Sequence, residues 1–451
     1  MPARCILLFC LLLLAIGPAR PATDHSALGQ LPVFLYTAAK SYEPLAWMRG
    51  EDRFPSGAAI FLKNANEERA LLPDFGASAD PVVSFDGKRV LFAGKTHATD
   101  AWQIWEMLLA GGAPRQITVG PEDCVRPFYL PDDRIVYACK IAGRFVIELK
   151  DAEGKPLAIT YMPGSALPTG ILQDGRILFS AAYPLGTGTA PEIYTVYADG
   201  SGVESYRCDH GHARYSATQG SSGDLLFASG TTLARFISAR AQEQRFSVPA
   251  GEYGGDFAET GASEWLLSWR PRANATFRLM QWEQASAALQ PAVIKAGVNI
   301  IQPALVIARR MPNRHPSGLH DWANANLLCL NAYTSKYPFP AGSIHSVRLY
   351  TRDFEGSPKL LGSASVERDG SFFVQVPADR PLQIELLDAA GKTLKREAGF
   401  FWMRRGEQRG CVGCHAGPET SPENAVPLIL LKSTAPADLT SVNAQNASGG
   451  H

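Results

Sequence analysis

The sequence predicts an all-β protein, in which a β-propeller of about six blades precedes a small antiparallel β-sandwich. Three observations predict this fold class. A strand–turn–strand pattern recurs at the spacing of a propeller blade, and a later stretch alternates apolar with polar residues. The chain also spreads 41 glycines and 32 prolines along its 451 residues. That spread is typical of a chain with many short strands and turns.

The repeat is clearest where an Asp86-Gly87 turn joins two apolar strands. Equivalent positions in successive copies are spaced by 45, 42, 48 and 40 residues, and they are occupied by Phe92, Tyr137, Phe179, Phe227 and Leu267. This is the length of a four-stranded blade. One small sheet cannot bury both of its faces, but a ring of sheets can. We therefore predict a propeller over residues 32–292, with a seventh blade if the segment after Gln290 contributes.

Residues 293–325 show no periodicity and predict a linker. After it, residues 326–401 predict the sandwich, because apolar and polar residues alternate with the period of two expected for strands with one buried face. The predicted strands are 327–333, 347–351, 360–366, 372–376, 382–387 and 394–400. Residues 402–431 form a separate segment that carries a cysteine motif, and residues 432–451 predict a flexible tail.

The first 22 residues predict a secretory signal. Arg4 precedes an apolar run at residues 5–16, and small residues follow it at a cleavage position. An uncleaved anchor is the alternative, but the run is short for a permanent membrane helix. We expect a periplasmic or otherwise exported protein with no transmembrane segment in the mature chain. Lys plus Arg and Asp plus Glu both number 43, so charge gives no case for binding nucleic acid.

Removal of the signal would leave six cysteines. Cys124 and Cys139 lie at equal distances from a hairpin turn with Pro131 and Asp132 at its centre, which predicts that they face each other and can form a disulfide. Two separate buried thiols are the alternative. The pairing of these two cysteines with Cys208 and Cys329 is otherwise left open by the sequence.

The motif with the clearest chemistry is Cys411-Val412-Gly413-Cys414-His415. Cys-x-x-Cys-His is the attachment signature of a c-type haem. Cys411 and Cys414 would add to the two vinyl groups, and His415 would be an axial ligand of the iron. A thioredoxin-like redox pair would require a βαβ setting, and a zinc site would require a fourth ligand. We therefore predict one covalent haem c and rank both alternatives below it.

Residues near the motif suggest supporting roles. Arg404, Arg405 and Arg409 are candidate partners for haem propionates or members of a solvated basic face. Met403 is a candidate distal ligand, but packing is the favoured interpretation so close to the motif. Far upstream, His210 and His212 are candidate metal ligands, although two histidines alone fall short of a complete site.

Several segments together resemble the hydrazine synthase alpha-subunit family, and the blades resemble TolB-type or PD40-type repeats. The segments are DPVVSFDGKR at 80–89, WQIWEM at 102–107, HPSG at 315–318, LLCLN at 327–331, DGSF at 369–372 and GEQRGCVGCH at 406–415. The resemblance implies a c-type haem on Cys411 and Cys414, with His415 in the motif. It also implies a haem-ligating tyrosine shortly after the motif, where this chain has Glu419 and no later tyrosine. We expect the family's further domain with a second haem to be absent.

The sequence thus predicts a periplasmic monohaem cytochrome that transfers electrons or acts as a haem-dependent oxidoreductase on a small, for example nitrogenous, substrate. The alternative is a propeller scaffold that binds a protein or polysaccharide, with an ancillary haem or metal. The sequence identifies neither catalytic residues nor the redox partner, substrate or second axial ligand.

Overall fold

The computed structural model describes residues 31–150, 154–182, 190–207, 210–239, 241–335, 339–353, 357–413 and 425–440. The predicted signal at 1–22 lies outside them. The fold is all-β, as predicted. Helical structure in the described residues is confined to a 3-10 turn at Ala46–Arg49 and a single-turn helix, α1, at Leu428–Lys432. None of the described helices has the length and apolar character needed to cross a membrane.

Between Phe34 and Leu305, the described residues form six four-stranded sheets of the kind that build propeller blades. The first sheet contains β1 (Phe34–Ala39), β2 (Ala59–Lys63) and β3 (Glu68–Ala70). The second contains β4 (Ala77–Val83), β5 (Arg89–Lys95), β6 (Gln103–Leu108) and β7 (Arg115–Gln116). The third contains β8 (Cys124–Tyr129), β9 (Ile135–Ile141), β10 (Arg144–Lys150) and β11 (Pro156–Ala158).

The fourth sheet contains β12 (Ser165–Ile171), β13 (Ile177–Ala182), β14 (Glu192–Val196) and β15 (Glu204–Ser205). The fifth contains β16 (Arg214–Gln219), β17 (Leu225–Ser229), β18 (Thr232–Phe236) and β19 (Gln244–Arg245). The sixth contains β20 (Glu252–Gly261), β21 (Glu264–Arg270), β22 (Arg278–Glu283) and β23 (Gln290–Val293). Consecutive strands pair antiparallel within each sheet.

A strand from the predicted linker completes the first sheet. β24 (Asn299–Leu305) pairs antiparallel with β1, so the end of the propeller region is joined to its beginning. The predicted boundary at residue 292 is therefore corrected to 305. Sequence periodicity missed this strand because its partner lies more than 250 residues earlier, and local patterns carry no information about such pairing.

The remaining linker lies against the turns of two sheets. The backbone N–H of Arg309 donates to the carbonyl of Phe85 at 2.8 Å, and that of Asn313 donates to the carbonyl of Gln173 at 2.9 Å. Gly175 has a φ of +90°, and a Cβ there would lie only 2.2 Å from the carbonyl oxygen of Asn313. The glycine therefore serves both the turn conformation and the close approach of the linker.

A buried polar network links the first strands of several sheets. Asp80, which is 1% exposed, accepts hydrogen bonds from the Arg53 guanidinium at 2.6 Å and from the Arg126 backbone N–H at 3.0 Å. The Arg126 side chain pairs with Asp256 at 2.6 Å. Burial would raise the pKa of Asp80, but the charges of Arg53 and Arg126 outweigh it and lower this pKa. Each buried charge is thus paired, as a low-dielectric interior requires.

Cys124 and Cys139 are direct register partners in β8 and β9, and a disulfide joins them. Their Cα atoms are 4.1 Å apart. This is the pairing that the hairpin turn predicted.

The second β region contains eight strands in two four-stranded sheets. They are β25 (Asn324–Cys329), β26 (Ser346–Thr351), β27 (Lys359–Ser365), β28 (Phe372–Pro377), β29 (Leu382–Leu387), β30 (Thr393–Arg396), β31 (Gln408–Cys411) and β32 (Ala437–Asp438). One sheet has the order β31-β25-β28-β32 and the other β27-β26-β29-β30. Apolar side chains between the sheets form a single core cluster, in agreement with the predicted alternation.

Two predicted features of this region are corrected. β31 pairs in parallel with β25, and β32 pairs in parallel with β28, so the sandwich is not purely antiparallel. The sandwich also extends beyond residue 401. β31 belongs to the segment predicted as separate, and β32 belongs to the predicted flexible tail, where Leu439 is buried in the core. Short strands that pair with distant partners leave no periodic signal of their own.

The sandwich is held against the propeller by buried side chains. Trp402 is fully buried among propeller residues, and its indole N–H donates to the carbonyl of Gly200 at 2.8 Å. Glu407 accepts from the backbone N–H of Gly202 at 3.1 Å. These contacts fix the chain on both sides of the turn that leads into β31, and so position the start of the cysteine motif.

Candidate haem-attachment site

The cysteine motif begins at the last residue of β31. Cys411 is half-buried there, beside the sandwich core, while Cys414 and His415 lie outside the described residues. The parallel register places Cys411 next to Cys329 of β25, which is fully buried. The structure therefore shows the surroundings of Cys411, and haem attachment through the three motif residues stays a prediction.

The Cys411 thiol is more acidic than an ordinary cysteine. A hydrogen bond from Cys329 is the largest cause, and the nearby Arg409 charge acts in the same direction. Burial and the charge of Glu397 oppose them, and the result is a pKa of about 7. Because the thiolate is the nucleophilic form, this environment favours reactions of the Cys411 sulfur near neutral pH.

Gly413, between the two motif cysteines, is packed against the Asn331–Thr334 turn. A Cβ at Gly413 would lie 2.1 Å from the carbonyl oxygen of Thr334, which is far inside van der Waals contact. At Gly410, the residue directly before Cys411, a Cβ would meet nothing within 4 Å. The chain therefore needs glycine at position 413 for space.

All three arginines near the motif contact carboxylates, and two of them are largely buried. Arg409 forms an ion pair with Glu407 at 2.6 Å, and Arg404 forms one with Asp379 at 3.0 Å. Arg405 also approaches Asp379, but its side chain is 72% exposed. Arg404 and Arg409 therefore have carboxylate partners within the protein and do not need a haem propionate as counter-charge. Arg405 has the most accessible guanidinium of the three.

Met403 is fully buried in the sandwich core. Its side chain is therefore used for packing, which was the favoured interpretation of its position in the sequence.

His210 joins the propeller to the segment that follows β30. Its Nδ1 lies 2.7 Å from Glu192 of β14, and its Nε2 lies 3.2 Å from Glu397. Burial lowers the pKa of His210, but hydrogen bonds and charge from the two carboxylates outweigh it and raise this pKa to about 9. The imidazolium form is thus the one that the fold stabilises near neutral pH.

His210 and His212 were candidate metal ligands. In the described ranges, no three His, Cys, Asp or Glu side chains converge in a way that could hold a metal ion. The two glutamates approach opposite nitrogens of the His210 ring, so they cannot share one metal with it. The His210 cluster is an ionic contact between two parts of the fold.

A separate cavity opens at one end of the propeller. Its volume is about 610 Å³, and its wall is formed by β24 of the first sheet and by the first strands of the other five sheets. Aromatic and apolar residues such as Phe85, Phe128 and Ile171 line it together with the amides of Gln173 and Gln219. The charged side chains of Asp256, Glu259, Arg309 and Arg310 also line it. Such a concave, mixed surface has the dimensions of a small-ligand pocket.

Sequence reasoning missed three residues of the site: Cys329, Glu397 and Glu407. Cys329 was only one of several cysteines without an assigned partner, because the parallel pairing of β25 with β31 spans about 80 residues and has no sequence signature. The glutamates act through contacts across the interface between sandwich and propeller, which no local pattern reports.

Comparison with known families identifies the region around the motif. The model of the hydrazine synthase alpha subunit middle domain matches residues 347–416, a range that includes the whole Cys-x-x-Cys-His motif. Hydrazine synthase subunit alpha of Kuenenia stuttgartiensis is 38% identical over 148 residues, which are 32% of this chain and 16% of that protein. The matched region is therefore a small part of that relative's length.

Among solved structures, Kuenenia stuttgartiensis hydrazine synthase superposes with a TM-score of 0.77 and 17% sequence identity. The superposition covers 90% of this chain and 72% of that chain. At this identity the likeness shows a shared fold, and it extends over propeller and sandwich together. The TolB structure from Acinetobacter baumannii aligns with 62% of this chain and 67% of its own, at 13% identity and a TM-score of 0.47.

Proposed function

We propose that this chain, whose residues 347–416 match the hydrazine synthase alpha subunit middle domain, is an exported c-type monohaem cytochrome. The observation that carries the proposal is the Cys-x-x-Cys-His motif inside the matched domain. Cys411 and Cys414 would hold one haem as thioethers, and His415 would ligate its iron. When bound, haem supplies a one-electron iron couple.

The described part of the site fits this group. Cys411 ends an edge strand and is half-buried, and its pKa is lowered to about 7, which favours the nucleophilic thiolate. Gly413 lets the motif turn closely against the sandwich, as its contact with Thr334 shows. The side chains of Glu407 and Trp402 anchor the preceding segment to the propeller. Contacts between protein groups thus hold the strand that carries Cys411 in place.

The predicted export signal supports the proposal independently. The predicted signal at residues 1–22 would bring the chain to the periplasm, where bacterial c-type haem is attached and where disulfides form. The disulfide between Cys124 and Cys139 is consistent with that compartment.

For the reaction, we propose periplasmic electron transfer or redox chemistry on a small nitrogenous molecule, a chemistry suggested by the relation to hydrazine synthase. Hydrazine synthesis itself is not part of the proposal. Glu419 stands where the family resemblance places a haem-ligating tyrosine, so the resemblance does not extend to that ligand.

Haem loading in variants tests the attachment site. Cys411→Ser should leave a single thioether and reduce the covalently bound haem in a host that matures c-type cytochromes. Gly413→Ala should also reduce loading, because its Cβ would collide with the Thr334 carbonyl. Gly410→Ala is the matched control and should load as the wild type does, since its Cβ meets nothing. Full loading of Cys411→Ser would contradict the assignment.

The spin state of the loaded protein then separates the two redox roles. A low-spin ferric spectrum, with both axial positions filled by protein ligands, supports electron transfer. A high-spin spectrum, with one position open, supports reaction with a small molecule.

The cavity at the propeller end favours a second candidate function, a scaffold that binds a neutral oligosaccharide. Aromatic rings beside amide groups suit such a ligand. Calorimetric titration with neutral oligosaccharides tests it. Binding should be lost in Phe128→Ala and be equal in haem-free and haem-loaded protein. Absence of binding, or binding that Phe128→Ala leaves unchanged, would count against the scaffold.

A further inference from the structure

Cys329 lies outside the predicted haem motif but directly beside the first cysteine of that motif. It is fully buried in β25, and the parallel register makes it the direct neighbour of Cys411 in β31. Register partners on adjacent strands point to the same face of a sheet. The two thiols are close enough for a hydrogen bond from Cys329 to the Cys411 sulfur.

Another pair of neighbouring cysteines in this protein forms a disulfide. Cys124 and Cys139 are likewise register partners on adjacent strands, and they are joined by a disulfide. The hydrogen-bonded contact between Cys329 and Cys411 already brings the second pair of sulfurs together, so little backbone movement is needed for a bond.

We propose that Cys329 is a third thiol of the attachment site, and that it forms a disulfide with Cys411 while the protein carries no haem. In this step the two S–H bonds break and one S–S bond forms. Two electrons and two protons pass to the disulfide of a periplasmic thiol–disulfide exchange protein, which becomes a dithiol. Cys411 is the attacking sulfur, because it is half-buried and Cys329 is enclosed by the sandwich core.

The disulfide would make haem attachment dependent on reduction. Thioether formation adds the Cys411 S–H across a vinyl group with no net oxidation, so it requires the thiol. A dithiol reductant must first return two electrons and two protons to the Cys329–Cys411 bond. This consequence rests on the proposed haem function, whereas the disulfide itself does not.

Peptide mapping of the haem-free protein tests the disulfide directly. The full chain is exported in a host that forms disulfides but attaches no haem, and its thiols are alkylated at acidic pH before digestion without reductant. We expect a peptide that links Cys329 to Cys411 and accounts for most of both residues, beside the Cys124–Cys139 link. Alkylation of both Cys329 and Cys411, or a bond between Cys411 and Cys414, would overturn the proposal.

A second experiment tests the consequence in a haem-attaching host with limited reductant. Cys329→Ala should load haem equally with and without added dithiol, whereas wild-type loading should rise severalfold when dithiol is added. Val374→Ala is the matched control, since Val374 is fully buried in the same core, and it should respond to dithiol as the wild type does. An equal response of Cys329→Ala and wild type would contradict the proposal. If no variant binds haem under any condition, the haem function fails, while the peptide map still decides the disulfide.

Discussion

The His210 cluster gives the most quantitative prediction. Its imidazole lies between Glu192 of the propeller and Glu397 of the segment that leads to the attachment strand, and its side chain is 11% exposed. The pKa of His210 rises from 6.5 to about 9 in the fold. Each pKa unit corresponds to about 1.4 kcal/mol, so protonated His210 contributes at most about 3 kcal/mol to the free energy of unfolding.

The sign of the pH dependence follows from the direction of this shift. The folded state binds the His210 proton more tightly than the unfolded state, so the stabilisation is complete below pH 6.5. It declines as the pH rises from 6.5 and is lost above a pH of about 9. His210→Gln removes the titrating group and should therefore destabilise the protein most at the acidic end of this range.

Urea unfolding, followed by circular dichroism, measures the effect. His210→Gln should lower the free energy of unfolding by about 3 kcal/mol below pH 6.5, and the loss should shrink towards zero above a pH of about 9. His212→Gln is the matched control, because His212 is exposed two residues away, and it should change little at any pH. A loss for His210→Gln that does not vary with pH would refute the reasoning.

Three further substitutions test other parts of the fold. Asp80→Asn should lower the free energy of unfolding by about 3–5 kcal/mol in urea melts, because it removes the counter-charge of buried guanidinium groups; a loss below about 1 kcal/mol would contradict this. Gly175→Ala should destabilise more than Gly223→Ala, since both have a φ near +90° but only the first would meet a linker carbonyl; equal losses would argue against that contact. Replacing Cys124 and Cys139 together by Ala should lower the free energy of unfolding by about 3 kcal/mol, because the disulfide closes a loop of 15 residues. In thermal melts, reductant should cause the same loss in the wild type and no further loss in the double variant; an equal effect of reductant on both proteins would contradict this.

The local parts of the fold could be predicted from the sequence. The Asp-Gly turns and apolar strand pairs revealed the repeating sheets, because a hairpin is defined by neighbouring residues. Cys124 and Cys139 could be matched for the same reason, since one short turn sets their register. The alternation from Phe372 to Val376 likewise predicted a strand with one buried face.

The parts set by long-range pairing could not be predicted. β24 closes the first sheet with β1, and β31 and β32 join the sandwich through parallel pairs, yet none of these strands has a distinctive local pattern. The same limit applies to the site. The motif named Cys411, but its neighbour Cys329 depends on the register of two strands about 80 residues apart. Ionic contacts such as that between His210 and Glu397 arise only when sandwich and propeller meet.

The central claim is that Cys411, Cys414 and His415 hold one covalent haem. The most direct test is a pyridine haemochrome spectrum, combined with the intact mass of the denatured protein, on full-length chain produced in a host that attaches c-type haem. The account predicts a haem c spectrum with both vinyl groups saturated, and a mass increase of one haem that survives acid extraction. A protein whose mass equals that of the polypeptide alone, with no haemochrome after extraction, would contradict it.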